Sequence, residues 1–147
     1  MIKKATLQDA ESIAKMQLNM AKESEGIDLD LSTVIKGVST IISKPDWGHY
    51  LIYQQDEITL ACLMVLYEWS DWRCKKVIWI HSVYVAPQYR RQGIYKRMYQ
   101  YLLDIVHRED EFSGLRLYVD KSNKNAISTY ENLGMSRDHY NLYEYLK

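Results

Sequence analysis

The stretch Val83–Lys96, VYVAPQYRRQGIYK, decides how this chain folds and where it acts. An apolar strand runs into Pro87, a basic loop containing Gly93 follows, and a helix opens. Arg90, Arg91, Lys96 and Arg97 crowd that helix start. The first turn of a helix carries partial positive charge and favours Asp or Glu, so each misplaced cation costs about 0.3–1 kcal/mol. An anion resolves the conflict, because the free backbone N–H groups of a helix start make a phosphate site unaided. The pattern predicts a phosphate-bearing cofactor docked between Arg90 and Lys96.

Working outward, Val77–Val85 is the longest β-branched and aromatic run and is expected to be a central strand. Gly93–Arg108 carries Ile94, Met98, Tyr101, Leu102, Ile105 and Val106 on one helical stripe. Gly114–Asp120 reads as a strand, Asn123–Leu133 as a helix and Tyr140–Leu146 as a closing strand. The strand–helix–strand unit over 77–120 is expected to be parallel and right-handed. Towards the N-terminus, residues 2–5 read as a strand, and Thr6 with Asp9 opens a helix reaching about Glu23. A polar loop, Ser24–Leu31, precedes a second helix capped by Ser32 and ended by Pro45. His49–Gln54 and Ile58–Glu68 form a hairpin across residues 55–57, a turn without its usual glycine. Trp69–Lys76 is a polar connection. This order predicts a single domain over residues 1–147, of mixed α/β class. Its sheet is expected to be largely antiparallel with a central parallel strand pair, flanked by four helices.

Composition narrows the function. The net charge is zero, which gives no general pull towards nucleic acid or an anionic membrane. No apolar run approaches the ~20 residues of a membrane-spanning helix, and the start lacks a signal-peptide segment, so the expected location is cytoplasmic. Cys62 and Cys74 are too few for a disulfide framework, and no Cys/His cluster has metal-ligand spacing. Thirteen tyrosines and four tryptophans stand against one phenylalanine. Such side chains offer broad faces with polar tips, which suit a cleft or an interface. Tyr140, Tyr143 and Tyr145 read as one such strip, suited to pairing with a second copy.

Two motifs coincide with this element order. Arg90-Arg91-Gln92-Gly93-Ile94-Tyr95 resembles the Arg/Gln-x-x-Gly-x-Gly/Ala loop of the Gcn5-related N-acetyltransferases. Asn123-Lys124-Asn125-Ala126, then Tyr130, then Gly134-Met135, resembles that family's second signature, Asn-x-x-Ala-x-x-x-Tyr-x-x-x-Gly-Phe. Tyr95 departs from the usual small residue and Met135 from the usual aromatic. A Tyr95 side chain turned inward would displace a diphosphate; turned along the helix, it would leave binding intact.

The resemblance implies acetyl-coenzyme A as co-substrate and acetyl transfer to an amine. It places the pantetheine arm on the backbone of Val83 and Val85, and the diphosphate on Arg90, Arg91, Gln92, Gly93, Ile94, Tyr95 and Lys96. Asn123 would cap its helix and hold the cofactor arm. Tyr130 matches the family tyrosine that donates a proton to the coenzyme sulfur; a phenol of pKa about 10 can do so. The resemblance also implies a homodimer.

The chemistry needs a base as well, since an alkylammonium has a pKa near ~10.4. His81 is the best candidate, with an intrinsic pKa of about 6.5. Strand alternation puts it on the same face as Val83 and Val85. Its competing reading is a structural strand histidine. Glu68 and Asp71, among Tyr67, Trp69 and Trp72, are candidates to hold a cationic amine by charge and cation–π contact, with the acidic run Glu23–Asp30 as the opposite wall. The layout of residues 67–85 resembles diamine acetyltransferases and suggests a small-molecule amine of polyamine type. The competing reading there is a solvated acidic hairpin. A second functional class keeps the fold without catalysis, as an acyl-coenzyme A sensing module. Nucleotide-binding classes would need a Gly-x-Gly-x-x-Gly or Walker loop, and neither is present.

Overall fold

The apolar runs assemble into one five-stranded sheet. In the computed structural model, which describes residues 1–147, the strands are β1 (Ile2–Lys4), β2 (Gly48–Gln55), β3 (Ile58–Ser70), β4 (Lys75–Val85) and β5 (Phe112–Leu117). They lie side by side in chain order. β1 to β4 are antiparallel neighbours, and β5 joins β4 in parallel across an intervening helix. The helices are α1 (Ala10–Glu25), α2 (Leu31–Ile42), α3 (Ile94–Arg108) and α4 (Lys124–Asn132). This is the expected mixed α/β class with a largely antiparallel sheet. The chain divides into two units, Met1–Leu117 with the sheet and α1 to α3, and Tyr118–Lys147 with α4 and the terminal segment.

The two sides of the sheet have separate cores. Ile13, Ala14, Met16 and Val38 of α1 and α2 pack against Tyr50, Ile52, Cys62 and Tyr84. Strand alternation sends Leu51, Tyr53, Leu63, Val65 and Ile80 to the opposite side. There α3 buries Ile94, Met98 and Leu102, and its Arg97 lies over the Tyr53 ring at 5.3 Å. Each fully buried aliphatic contributes about 1.5–3 kcal/mol.

Local chemistry accounts for the boundaries that differ from expectation. Asp30, not Ser32, caps α2: its carboxylate accepts from Thr33 N at 2.7 Å and from the Ser32 hydroxyl at 2.5 Å. The glycine-free hairpin turn places Asp56 (φ 48°) and Glu57 (φ 63°) both in the left-handed region, the demand of a two-residue turn between twisted strands. β5 begins at Phe112, earlier than Gly114, because the buried Phe112 already pairs with Lys76. Tyr140–Leu146 forms no strand. An alternating sequence becomes a strand only where a neighbour completes its hydrogen bonds.

One irregularity in β4 bears on the site. Cys62 pairs with Tyr84 and Met64 with His81, so β4 spends three steps where β3 spends two. The extra residue is a bulge at Ser82, whose φ is 51°. Gln17 of α1, a buried polar side chain, donates to the Ser82 carbonyl at 3.1 Å and to Cys62 Sγ at 3.2 Å. The bulge shifts the alternation. His81 shares its side of the sheet with Tyr84, and Val85 lies on the other side, which corrects the expectation that His81, Val83 and Val85 share a face.

Candidate functional site

The loop between β4 and α3 opens the helix without a capping side chain or an acid in its first turn. Pro87–Tyr89 forms one 3-10 turn, and Gly93 stands at the N-cap of α3 with φ 73°. Its neighbour Arg91 is also left-handed, at φ 63°. No side chain caps α3, its first turn holds no acid, and the first intrahelical bond runs from Arg97 N to Gly93 O at 3.0 Å. The N–H groups of Ile94, Tyr95 and Lys96 thus have no acceptor within the helix. A Cβ placed on Gly93 would meet no atom within 4 Å, so open space lies above this turn. Two left-handed residues leading into helix N–H groups that no helical carbonyl accepts from make a turn suited to an anion. Arg91, Lys96 and Arg97 surround it as exposed cations. The residues present fit a diphosphate.

Tyr95 does not close that turn. Its ring packs with Tyr99, one turn along α3, at 6.4 Å between centroids. The space over Gly93 stays clear. Arg90 has a different occupation from its neighbours. It donates from Nε to the Val85 carbonyl at 2.8 Å and from Nη2 to Glu23 at 2.6 Å, while its guanidinium lies 5.3 Å from the centre of the Tyr84 ring. Tyr84 OH donates to the other Glu23 oxygen at 2.8 Å. Arg90 therefore ties the end of β4 to α1, and the Arg90 guanidinium holds the Glu23 carboxyl below the usual range.

β4 itself offers a backbone surface. Its pairing with β5 ends at Ile80–Leu117, whereas its pairing with β3 continues to Val85. Residues 81–85, with Val83 and Val85, are laddered on one side only.

Below this open edge, a row of polar groups crosses three strands. Glu68 on β3 accepts from Trp79 Nε1 on β4 at 2.7 Å and from Arg116 on β5 at 2.8 Å. Trp79 stacks on His81, with 5.9 Å between centroids and 23° between planes. Burial pushes the His81 imidazole below its ordinary pKa and so favours its neutral form. Glu68 and His81 thus belong to one polar cluster, which the sequence reading had not joined. Trp79 and Arg116 were not singled out in it; only the register Leu66–Trp79–Arg116 puts them beside Glu68.

The acidic groups are mostly engaged. Glu23 pairs with Arg90, Asp28 with Lys22 at 2.7 Å, and Asp30 caps α2 with its carboxyl lowered to about 2 by the Ser32 and Thr33 hydrogen bonds. Asp71 sits in the exposed turn between β3 and β4 and accepts from Trp72 N at 3.0 Å.

In the second unit, Asn123 caps α4, its Oδ1 accepting from Ala126 N at 3.1 Å. Tyr130 lies half-buried in the last turn of α4, and its carbonyl accepts from Leu133 N and Met135 N, both at 3.1 Å. The cap expected of Asn123 is present, and the second motif closes as the Asn123-to-Gly134 helix end.

Comparison with known proteins agrees with this geometry. The profile of the acetyltransferase (GNAT) family matches residues 19–135. A crystal structure described as a possible acetyltransferase from Clostridium difficile 630 is 41% identical, covering 100% of this chain and 97% of that one, with a TM-score of 0.94. The catalytic subunit of the N-terminal acetyltransferase B complex of Arabidopsis thaliana is 40% identical over 55 residues; that match spans 37% of this chain and 32% of the relative. The ribosomal-protein-alanine N-acetyltransferase of Brucella melitensis shares the fold at 16% identity, covering 100% of this chain and 99% of that one, with a TM-score of 0.80. The chain belongs to the GNAT family of acetyltransferases, whose general co-substrate is acetyl-coenzyme A.

Proposed function

We propose that this acetyltransferase moves an acetyl group from acetyl-coenzyme A to a primary amine of a small molecule, by direct attack within a ternary complex, and that residues 1–147 act as a single N-acetyltransferase domain. The carrying observation is the uncapped, acid-free start of α3, with Gly93 left-handed beneath open space and Arg91, Lys96 and Arg97 around it. Ile94, Tyr95 and Lys96 offer the main-chain donors for a diphosphate, and Arg91 and Gln92 lie at its rim. Arg90 positions the loop through Val85 and Glu23. Val83 and Val85 offer main chain to the pantetheine arm, with Asn123 as a further holder. The bound co-substrate supplies a thioester acyl group. His81, whose burial favours the neutral ring, takes the proton from the attacking amine, and the Tyr130 phenol gives one to the departing thiolate.

Glu68 and Asp71 are the acids proposed to face the amine. A polyamine-type acceptor is the narrower form of this reading. Asp71 supports it more than Glu68, whose charge Arg116 balances, and Glu23, Asp28 and Asp30 add little because each has a partner. The protein acts in the cytoplasm on this reading, in keeping with two free thiols, Cys62 and Cys74. No helix is long and apolar enough to cross a membrane. Thioester cleavage with a panel of spermidine, lysine analogues, aminoglycosides and peptide N-termini tests the proposal. Amine-dependent release of free coenzyme A supports it. Tight coenzyme binding with no release for any amine would favour a sensing module instead.

A further inference from the structure

Both oxygens of the Glu68 carboxylate are engaged, one by Trp79 Nε1 and the other by Arg116 Nη1. A carboxylate with its charge balanced in this way has little net field to offer a ligand, but it fixes what it binds. An indole has a single donor, its Nε1–H, and the torsion that turns the ring about its stem is broad and roughly two-fold. The 2.7 Å bond to Glu68 selects one setting of that torsion for Trp79. The indole held there lies nearly parallel to the His81 ring, 23° between planes and 5.9 Å between centroids.

The register says how Glu68 can reach His81. Glu68 lies opposite Val77, Leu66 opposite Trp79, and Met64 opposite His81. Trp79 and His81 are two residues apart on one side of β4. Val77 and His81 are four residues apart, about 13 Å along the strand. Over that span the Glu68 charge, opposed by Arg116 at 2.8 Å, is both cancelled and screened. The path from Glu68 to the imidazole therefore runs through the indole. Trp79 also stands on firmer backbone than His81. It is laddered on both sides, to Leu66 and to Arg116, whereas the pairing with β5 ends at Ile80 and β4 turns left-handed at Ser82.

We propose that Glu68 and Trp79 are positioning residues for the base: the carboxylate locks the indole, and the stacked indole locks the plane of the His81 imidazole, so that a ring nitrogen meets the attacking amine. This rests on the reading of His81 as the base of acetyl transfer. A general base works within about 2.6–3.2 Å of the proton it takes, and a misplacement of about 1 Å can cost 10²-fold in rate. Arg116 completes the arrangement by holding the second Glu68 oxygen, which keeps the carboxylate turned towards Trp79. Attraction of a cationic amine by Glu68 is a different role, and experiment separates the two.

The test begins with NMR on the full chain without ligand. In the wild type, the Trp79 indole N–H should exchange slowly beside those of Trp69 and Trp72, which are 60% and 91% exposed. The His81 ring protons should show NOEs to the indole and an upfield ring-current displacement. Glu68→Ala should release the indole proton to fast exchange and collapse that displacement. In a Trp79→Phe background, Glu68→Ala should move the His81 signals no further, the mark of one residue acting through another. Circular dichroism checks that each variant is folded, and the wild-type measurements decide even where one is not. Kinetics follow with the amine that the panel above turns over. Trp79→Phe should lower kcat by roughly tenfold or more with the affinity for coenzyme A unchanged, and Glu68→Ala should add nothing to that loss. An indole proton exchanging as fast as those of Trp69 and Trp72, His81 signals unmoved by Glu68→Ala, or additive losses in kcat would each overturn the proposal. If no amine turns over, the acetyl-transfer reading fails, and the ring signatures still decide the positioning.

Discussion

At the level of single residues, the proposed mechanism divides the proton work between His81 and Tyr130. Burial lowers the His81 pKa, so the neutral base persists to a lower pH than a solvated histidine allows. The kcat/KM profile should therefore keep its acidic limb below pH ~6.5. His81→Gln should lower kcat by roughly 10²-fold and remove that limb, as a pH–rate series would show. An unchanged profile would return His81 to a structural role. Tyr130→Phe should lower kcat and leave the affinity for acetyl-coenzyme A nearly intact, measured by turnover and calorimetry side by side. Both candidates stand out in the sequence, one as a histidine in a long strand and the other as a tyrosine inside a motif. Glu68 was legible as an acid, but its engagement by Trp79 and Arg116 was not, because partners on three strands meet only through the register.

Among the elements, β4 and its loop do most to shape the site. The bulge at Ser82 was invisible beforehand, since nothing in His-Ser-Val-Tyr-Val demands a left-handed serine. Gln17 explains it: a buried amide on α1 has found the Ser82 carbonyl. Gln17→Leu should remove that bond and leave the carbonyl unsatisfied, at a cost of about 1–3 kcal/mol. Urea denaturation would measure it. The hairpin turn is the converse case, where the chain tolerates strain. Glu57 holds φ 63° without being glycine, so Glu57→Gly should stabilise the fold by about 1 kcal/mol, seen as a raised Tm. Gly48 is not exchangeable in the same way, because a Cβ there would clash with the Val65 carbonyl across the β2–β3 pair. Helix α3 was readable almost to the residue from its apolar stripe. The cap of α2 was misplaced by two residues because Asp30 and Ser32 are both good caps, and only the observed bonds choose between them.

For the whole molecule, stability and ligand capture follow from the charge distribution. His49, half-buried beside Tyr67 and near Lys4, has its pKa pushed down to about 4, chiefly by desolvation. Its folded-state pKa lies below its unfolded value, so the unfolded chain binds the extra proton. Stability is full above pH ~6.5 and falls as the pH drops towards about 4, by at most about 3 kcal/mol. His49→Gln should flatten that part of the curve in chemical denaturation at a series of pH values. The fold class was legible because each long segment carried one clear period. The terminal segment was misread as a strand, because whether it pairs depends on a neighbour that its own sequence does not contain. The account stands on the N–H groups at the start of α3 that have no acceptor within the helix. An amide chemical-shift titration of the full chain with coenzyme A tests this most directly. The largest shifts are predicted at Gly93 to Arg97, weakened in the Arg91→Ala/Lys96→Ala variant. Saturable binding with those amides unmoved would contradict it.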